Sequence, residues 1–110
     1  MNSLTIPLEI QYLAIEQTSE LNSVIEQKFA RLNKVCNYIT KCQVKIADLA
    51  RSRQKNSNGF MISINLTMSE GFDIYTLRSP QDRPTDSIDR AISSVFAAVY
   101  RKLIELELEI

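Results

Sequence analysis

The spacing of apolar residues along the chain predicts four strands and two helices. Apolar and polar positions alternate over residues 6–14, 40–49 and 60–68, which is typical of strands with one buried face. Residues 72–78 follow a tight-turn signal at 69–71 and are predicted to form a fourth strand. Apolar residues recur at helical spacing from Leu21 to Val35, and again from Ile88 to Leu106.

Polar segments and capping residues set the limits of these elements. Thr18 or Ser19 is predicted to cap the first helix, and Thr85 or Asp86 the second. Residues 51–59 are polar and end in Asn-Gly, which predicts a long, mobile hairpin loop, and the proline-containing segment 79–86 predicts another loop. The last residues, 104–110, alternate leucine or isoleucine with glutamate; we expect a fraying helix end, with a short strand as the alternative.

The order of these elements predicts an α+β fold of the two-layer sandwich type, β-α-β-β-β-α. Successive strands without intervening helices favour antiparallel pairing, and each helix has one apolar stripe to bury. We therefore expect a four-stranded sheet with both helices packed on one face and the other face open to water. No repeat or composition shift divides residues 1–110, so a single domain is expected.

The composition is that of a soluble protein without an obvious catalytic or metal centre. Hydrophobic residues make up 45% of 110, no apolar run reaches the roughly 20 residues that span a bilayer, and no secretory signal begins the chain. We therefore expect a cytoplasmic location and no membrane association. The chain has no histidine, so we expect no metal, no cofactor and no enzymatic activity.

Cysteines and carboxylates leave two alternatives open. Cys36 and Cys42 are predicted to be reduced and packed, with a disulfide between them as the less favoured possibility. Asp86 and Asp89 could be an acid–base pair, but at the start of a helix they are more simply explained as a cap and a partner for the helix dipole.

Positive charge is concentrated in one part of a chain whose charges otherwise cancel. Lysine and arginine together number 13, as do aspartate and glutamate, yet residues 28–55 carry eight bases and one acid. A local cluster of this kind attracts a polyanion even when the net charge is zero. An ordinary solvated surface is the alternative interpretation.

The predicted elements allow these bases to share one surface. Lys41 and Lys45 alternate with buried strand positions and should project from the open sheet face, while Arg31 and Lys34 point away from the apolar stripe of the first helix. The open face of the third strand lacks aromatic side chains, so we expect recognition of the RNA backbone and shape rather than of unpaired bases.

Several segments resemble the family of ribosome hibernation-promoting factors, also called ribosome-associated inhibitors or sigma modulation proteins. The resemblance spans residues 8–103 and includes LEIQYLAIEQTSELNSVIEQKFARLNK near the start and SIDRAISSVFAAVYRKL near the end. It is most specific at Lys28, Phe29, Arg31 and Leu32, and at Ile88-Asp89 followed by Ala91. The chain lacks the additional C-terminal dimerisation domain of long family members, so a short form is expected.

The resemblance implies binding to the small ribosomal subunit, with inhibition of translation and without catalysis. Family members contact ribosomal RNA phosphates through basic residues of both helices and the sheet. By position, the corresponding residues here are Lys28, Arg31, Lys34, Lys41, Lys45, Arg101 and Lys102. Arg51, Arg53 and Lys55 are added on charge alone.

A second hypothesis keeps the fold but assigns it to protein interaction, with ribosome binding lost. Much of the exposed side of the second helix is weakly charged, with Ser93, Ser94, Ala97 and Ala98, and the tail is acidic and apolar. The second helix and this tail could then bind a protein partner or a second copy of the chain, giving a homo-oligomer.

Overall fold

The structure, a computed structural model, describes residues 6–13, 15–48, 60–78 and 87–109. For residues 107–109 it describes the backbone only. Six elements follow one another: β1 (Leu8–Leu13), α1 (Ser19–Val35), β2 (Ile39–Asp48), β3 (Phe60–Met68), β4 (Asp73–Arg78) and α2 (Ile88–Glu109). The predicted α+β sandwich and its element order are confirmed. The loops predicted at 51–59 and 79–86 lie outside the described residues.

The four strands form one mixed sheet in the order β1-β2-β3-β4. β1 runs parallel to β2, because α1 carries the chain back to the starting end of the sheet between them. β2 pairs antiparallel with β3, and β3 with β4. β1 and β4 are therefore the two edges.

A glycine makes the turn between β3 and β4. The Gly71 N–H donates to the Met68 carbonyl at 3.0 Å, and the Met68 N–H donates to the Phe72 carbonyl at 2.8 Å. Gly71 has a φ of 95°, a left-handed conformation that other residues adopt only with strain. The turn predicted at 69–71 is therefore present.

One core fills the space between the sheet and the helices. Alternate residues of β2 and β3 are fully buried there, and α1 and α2 contribute one apolar stripe each. The largest fully buried side chains include Ile25, Ile46, Ile62, Ile64, Leu66 and Ile92. Cys36 and Cys42 are buried and free, which confirms the predicted packed thiols, and the disulfide alternative is wrong. Burial raises the pKa of the Cys42 thiol to about 12.

Thr18 and a tyrosine hold α1 over the edge of the sheet. The Leu21 N–H donates to Thr18 Oγ1 at 3.1 Å, so Thr18 is the N-cap, one of the two residues predicted. The Tyr12 hydroxyl donates to Asn22 Oδ1 at 2.7 Å and joins β1 to the first turns of α1. Partial burial raises the pKa of Tyr12.

The second helix begins at Ile88, where its helical spacing was predicted to begin. Ser87 caps this helix: the Arg90 N–H donates to Ser87 Oγ at 3.3 Å, and the Ala91 N–H to the Ser87 carbonyl at 2.9 Å. Thr85 and Asp86, the residues predicted to cap this helix, lie outside the described residues. The helical interpretation of the tail is confirmed as far as Glu109, and the strand alternative is wrong.

Candidate nucleic-acid interface

A groove on the outer surface of the helix layer brings together cations from both helices. It has a volume of about 720 Å³ and is lined by Lys28, Arg31, Leu32, Ser93, Phe96, Ala97, Tyr100 and Arg101. Three of these side chains are basic and none is acidic. In the low-dielectric space beside an apolar floor, three like charges create a potential that attracts an anion.

Helical spacing explains why these residues share one groove. Lys28, Arg31 and Leu32 lie three and four positions apart on α1 and form one stripe. The residues from α2 follow the same rule over two turns, at Ser93, Phe96, Ala97, Tyr100 and Arg101. Where the two stripes meet, Leu32 and Phe96 are buried as the floor, and the charged ends remain at the rim.

Lys28 and the two arginines are placed differently with respect to this floor. Lys28 is half-buried, whereas Arg31 and Arg101 are exposed. A half-buried lysine packs its aliphatic stem against the protein while its charged end stays in water. Lys34 is exposed in the last turn of α1, outside the set of residues that line the groove.

Lys102 lies on a different side of α2 from Arg101. Its ammonium group donates to the Tyr75 carbonyl of β4 at 2.8 Å. β4 is an edge strand, and a lysine placed on its backbone blocks pairing with another strand. This contact gives Lys102 a structural role and separates it from the groove.

A carboxylate accompanies Lys41 on the open sheet face. Lys41 Nζ lies 3.5 Å from Glu9 Oε2, and the Gln43 amide donates to Glu9 Oε1 at 3.0 Å. The Gln43 hydrogen bond first, and then the charge of Lys41, lower the pKa of Glu9. The positive charge of Lys41 is therefore offset locally.

The remaining charges of the open sheet face also balance. Lys45 is exposed, and Asp73 accepts a hydrogen bond from the Asn65 amide at 3.2 Å. Among the described strand residues that face water there are two bases, Lys41 and Lys45, and two acids, Glu9 and Asp73. The expectation of one continuous basic surface is therefore wrong for the described part of the chain, because alternation places these lysines on the face opposite the helices. Arg51, Arg53 and Lys55 lie outside the described residues.

Aromatic side chains also divide between the two faces. On the open sheet face, β3 carries no aromatic side chain; its residues there are Met61, Ser63, Asn65 and Thr67. The neighbouring strand β4 contributes the exposed ring of Tyr75 to this face. The groove contains Tyr100 and Phe96, which the sequence analysis did not assign to a site. The spacing of Ser93, Ala97 and Tyr100, three or four residues apart along one side of α2, is the sequence feature that could have indicated this groove.

No described part of the chain presents a metal centre or a membrane span. The described residues contain no cluster of three or more cysteine, aspartate or glutamate side chains that could hold a metal ion. Neither described helix is both long and apolar enough to cross a bilayer.

The fold and groove define a class: two-layer α+β proteins with cations on the helix layer. Residues 8–107 match the family model described as Sigma 54 modulation protein / S30EA ribosomal protein. The chain belongs to this family of ribosome-associated proteins. No curated protein sequence matches the chain significantly.

Solved structures share the fold at low sequence identity. A ribosomal subunit interface protein from Coxiella burnetii superposes with a TM-score of 0.71 at 11% identity, covering 93% of this chain and 98% of that one. The Protein Y N-terminal domain from Thermus thermophilus superposes with a TM-score of 0.66 at 14% identity, covering 91% and 94%. At these identities the likeness shows the fold alone.

Proposed function

We propose that this protein is a hibernation-type translation inhibitor that binds ribosomal RNA of the small subunit through the groove between α1 and α2. Membership of the Sigma 54 modulation protein / S30EA family supports ribosome association. One structural neighbour is named a ribosomal subunit interface protein, which agrees with this location. A protein with this role works in the cytoplasm, where it acts by occupying a surface rather than by catalysis.

The observation that carries the proposal is the placement of Lys28, Arg31 and Arg101 around one groove that no acidic side chain lines. Ribosomal RNA presents closely spaced phosphates, and binding it releases condensed counterions for each phosphate that a cation neutralises. Two exposed arginines on separate helices suit this task, because a guanidinium group can form paired hydrogen bonds with phosphate oxygens. The proposed contact is therefore electrostatic and sensitive to salt.

Sedimentation of ribosomal subunits with the purified protein tests this proposal. We expect the parent protein to travel with small subunits at low salt and to be released as salt rises. The double variant Arg31→Glu/Arg101→Glu should remain at the top of the gradient at salt concentrations that retain the parent. Both side chains are exposed, so the fold should tolerate the change. Equal sedimentation of variant and parent at every salt concentration would rule the proposal out.

A protein-interaction module is the second candidate, and a smaller groove favours it. This groove lies between β4 and the end of α2, has a volume of about 380 Å³, and includes Phe72, Ile74 and Leu106. Phe72 is 41% exposed and lines this groove, so its ring is available for contact with a partner. The substitution Phe72→Ser separates the candidates: loss of self-association or of a bound protein in this variant, together with no small-subunit association of the parent, would favour protein docking.

A further inference from the structure

The groove between α1 and α2 has an apolar interior that phosphate binding alone does not require. Leu32 is 2% exposed and Phe96 4%, so both are covered by their neighbours, whereas Tyr100 is 43% exposed. An exposed aromatic ring therefore lines the same concave surface as two arginines and a lysine. Aromatic rings in such settings stack on nucleic-acid bases, and neighbouring arginines add cation–π attraction.

Small side chains on α2 create the space in this groove. Ser93 and Ala97 lie one turn apart on the side of α2 that lines it, between the positions of larger side chains. The resulting volume of about 720 Å³ lies within the range of roughly 300–1,000 Å³ that is typical of small-molecule clefts. The groove thus has room for a flat group that enters between the helices.

The combination of charge and ring selects one chemical class of ligand. In an RNA duplex the bases are stacked on one another and the phosphates lie outside, so a duplex can offer this groove charge but no ring face. An unpaired nucleotide offers both a planar base and a phosphate within a few ångströms of each other. A glutamate-rich peptide offers charge but no planar ring.

We propose that this groove binds one unpaired nucleotide of RNA. The base lies against the Tyr100 ring above the Phe96 floor, and the adjoining phosphates are bound by Lys28, Arg31 and Arg101. The inference rests on the proposed RNA-binding function and adds a base-binding site to it. It also replaces the expectation of pure backbone recognition, which was based on the open sheet face.

Three RNA hairpins that differ at one position test the inference by fluorescence anisotropy. The first has a single bulged adenosine, the second has an abasic residue at the bulge, and the third is fully paired. The parent protein should bind the bulged hairpin roughly tenfold more tightly than either of the others, which is the size of effect expected for stacking one base. All three should show nearly the same dependence on salt, because they present nearly the same phosphates.

Matched variants assign the preference to the groove. Tyr100→Ala and Ala97→Leu should reduce binding of the bulged hairpin to the level of the abasic one, the first by removing the ring and the second by filling the space. Tyr100→Phe should retain the preference, because it keeps the ring. Tyr75→Ala is the control, since Tyr75 is an exposed tyrosine on the opposite face. Both Ala97 and Tyr100 are exposed, so these changes should leave the fold intact.

Each remaining outcome separates this inference from the proposed function. Equal binding of the three hairpins, with binding weakened by Arg31→Glu/Arg101→Glu, would overturn the base-binding site and leave RNA binding in place. Equal competition by a glutamate-rich peptide and by the bulged hairpin would also overturn the site, since it would show a surface selective for charge alone. No binding of any hairpin at low salt would contradict both.

Discussion

The two outer surfaces of this protein carry similar cations but differ in what surrounds them. On the helix layer, Lys28, Arg31 and Arg101 line one groove without an acidic side chain. On the open sheet face, Lys41 lies 3.5 Å from the Glu9 carboxylate, and the exposed strand positions of the described residues balance two bases with two acids. The same residue type therefore attracts an anion on one surface and takes part in a neutral network on the other.

This difference shows that a count of bases along the sequence does not locate an anion-binding surface. The local potential depends on which neighbours three-dimensional packing supplies. Strand alternation and helix periodicity distribute the basic segment over opposite faces, and Glu9 reaches Lys41 because β1 lies beside β2 in the sheet. Two comparisons between the surfaces and two within the sheet test this account.

The largest effect is expected from shortening a leucine at the base of the groove. Leu32 is 2% exposed, whereas Leu77 on the open sheet face is 49% exposed. Leu32→Ala should lower the free energy of unfolding by about 2–5 kcal/mol, because it removes buried methyl groups and leaves a cavity. Leu77→Ala should change it by no more than about 0.5 kcal/mol. Urea denaturation of both variants gives the comparison, and equal losses would show that the two surfaces are not distinguished by burial.

A smaller change in the free energy of unfolding, an increase, is expected at Thr76 on the core side of the sheet, with Thr67 on the open face as its control. Thr76 points into the core, and its buried hydroxyl has no hydrogen-bond partner among the described residues. Thr76→Val should raise the free energy of unfolding by about 1 kcal/mol, because an unsatisfied polar atom is replaced by a methyl group. Thr67→Val, on the open face, should have little effect. A loss of stability in the Thr76 variant would indicate that its hydroxyl is hydrogen-bonded in solution.

The smallest effect concerns the titration of Glu9 on the sheet face. The pKa of the Glu9 carboxyl is lowered in the folded protein from an ordinary value of 4.5. The ionised carboxylate therefore stabilises the folded state above pH 4.5, and this stabilisation is lost as the pH falls through the lowered pKa. In NMR titrations Gln43→Ala and Lys41→Gln should each raise this pKa, the first by removing the amide hydrogen bond and the second by removing the charge and the hydrogen bond of the ammonium group. Added salt should reduce the Lys41 contribution. An unchanged pKa in both variants would mean that this network does not persist in solution.

Periodicity was sufficient to predict most of the fold. Alternation and helical spacing depend only on which side of each element is apolar, so β1 to β4 and both helices follow from the order of residues. Helix ends were less certain, because serine, threonine and aspartate are all good caps. Ser87 caps α2, and the two residues that were predicted as caps, Thr85 and Asp86, lie outside the described residues.

The groove could be predicted only in part. The basic residues were recognised, but their grouping depends on which stripe of α1 meets which stripe of α2, and this is decided by side-chain packing across the interface. Tyr100 was overlooked because an aromatic residue at helical spacing usually belongs to the core. The contact between Lys41 and Glu9 joins residues that are distant in sequence, and it depends on the register of β1 against β2.

The central claim, that the helix groove and not the sheet face binds RNA, is tested most directly by the salt dependence of binding to small subunits. Two double variants each remove two positive charges: Arg31→Gln/Arg101→Gln in the groove and Lys41→Gln/Lys45→Gln on the sheet. The groove variant should reduce the slope of log K against log salt by about 1.4–1.8, because each lost phosphate contact contributes about 0.7–0.9. The sheet variant should leave the slope unchanged. Equal reductions in the two variants, or a reduction in the sheet variant alone, would contradict the account.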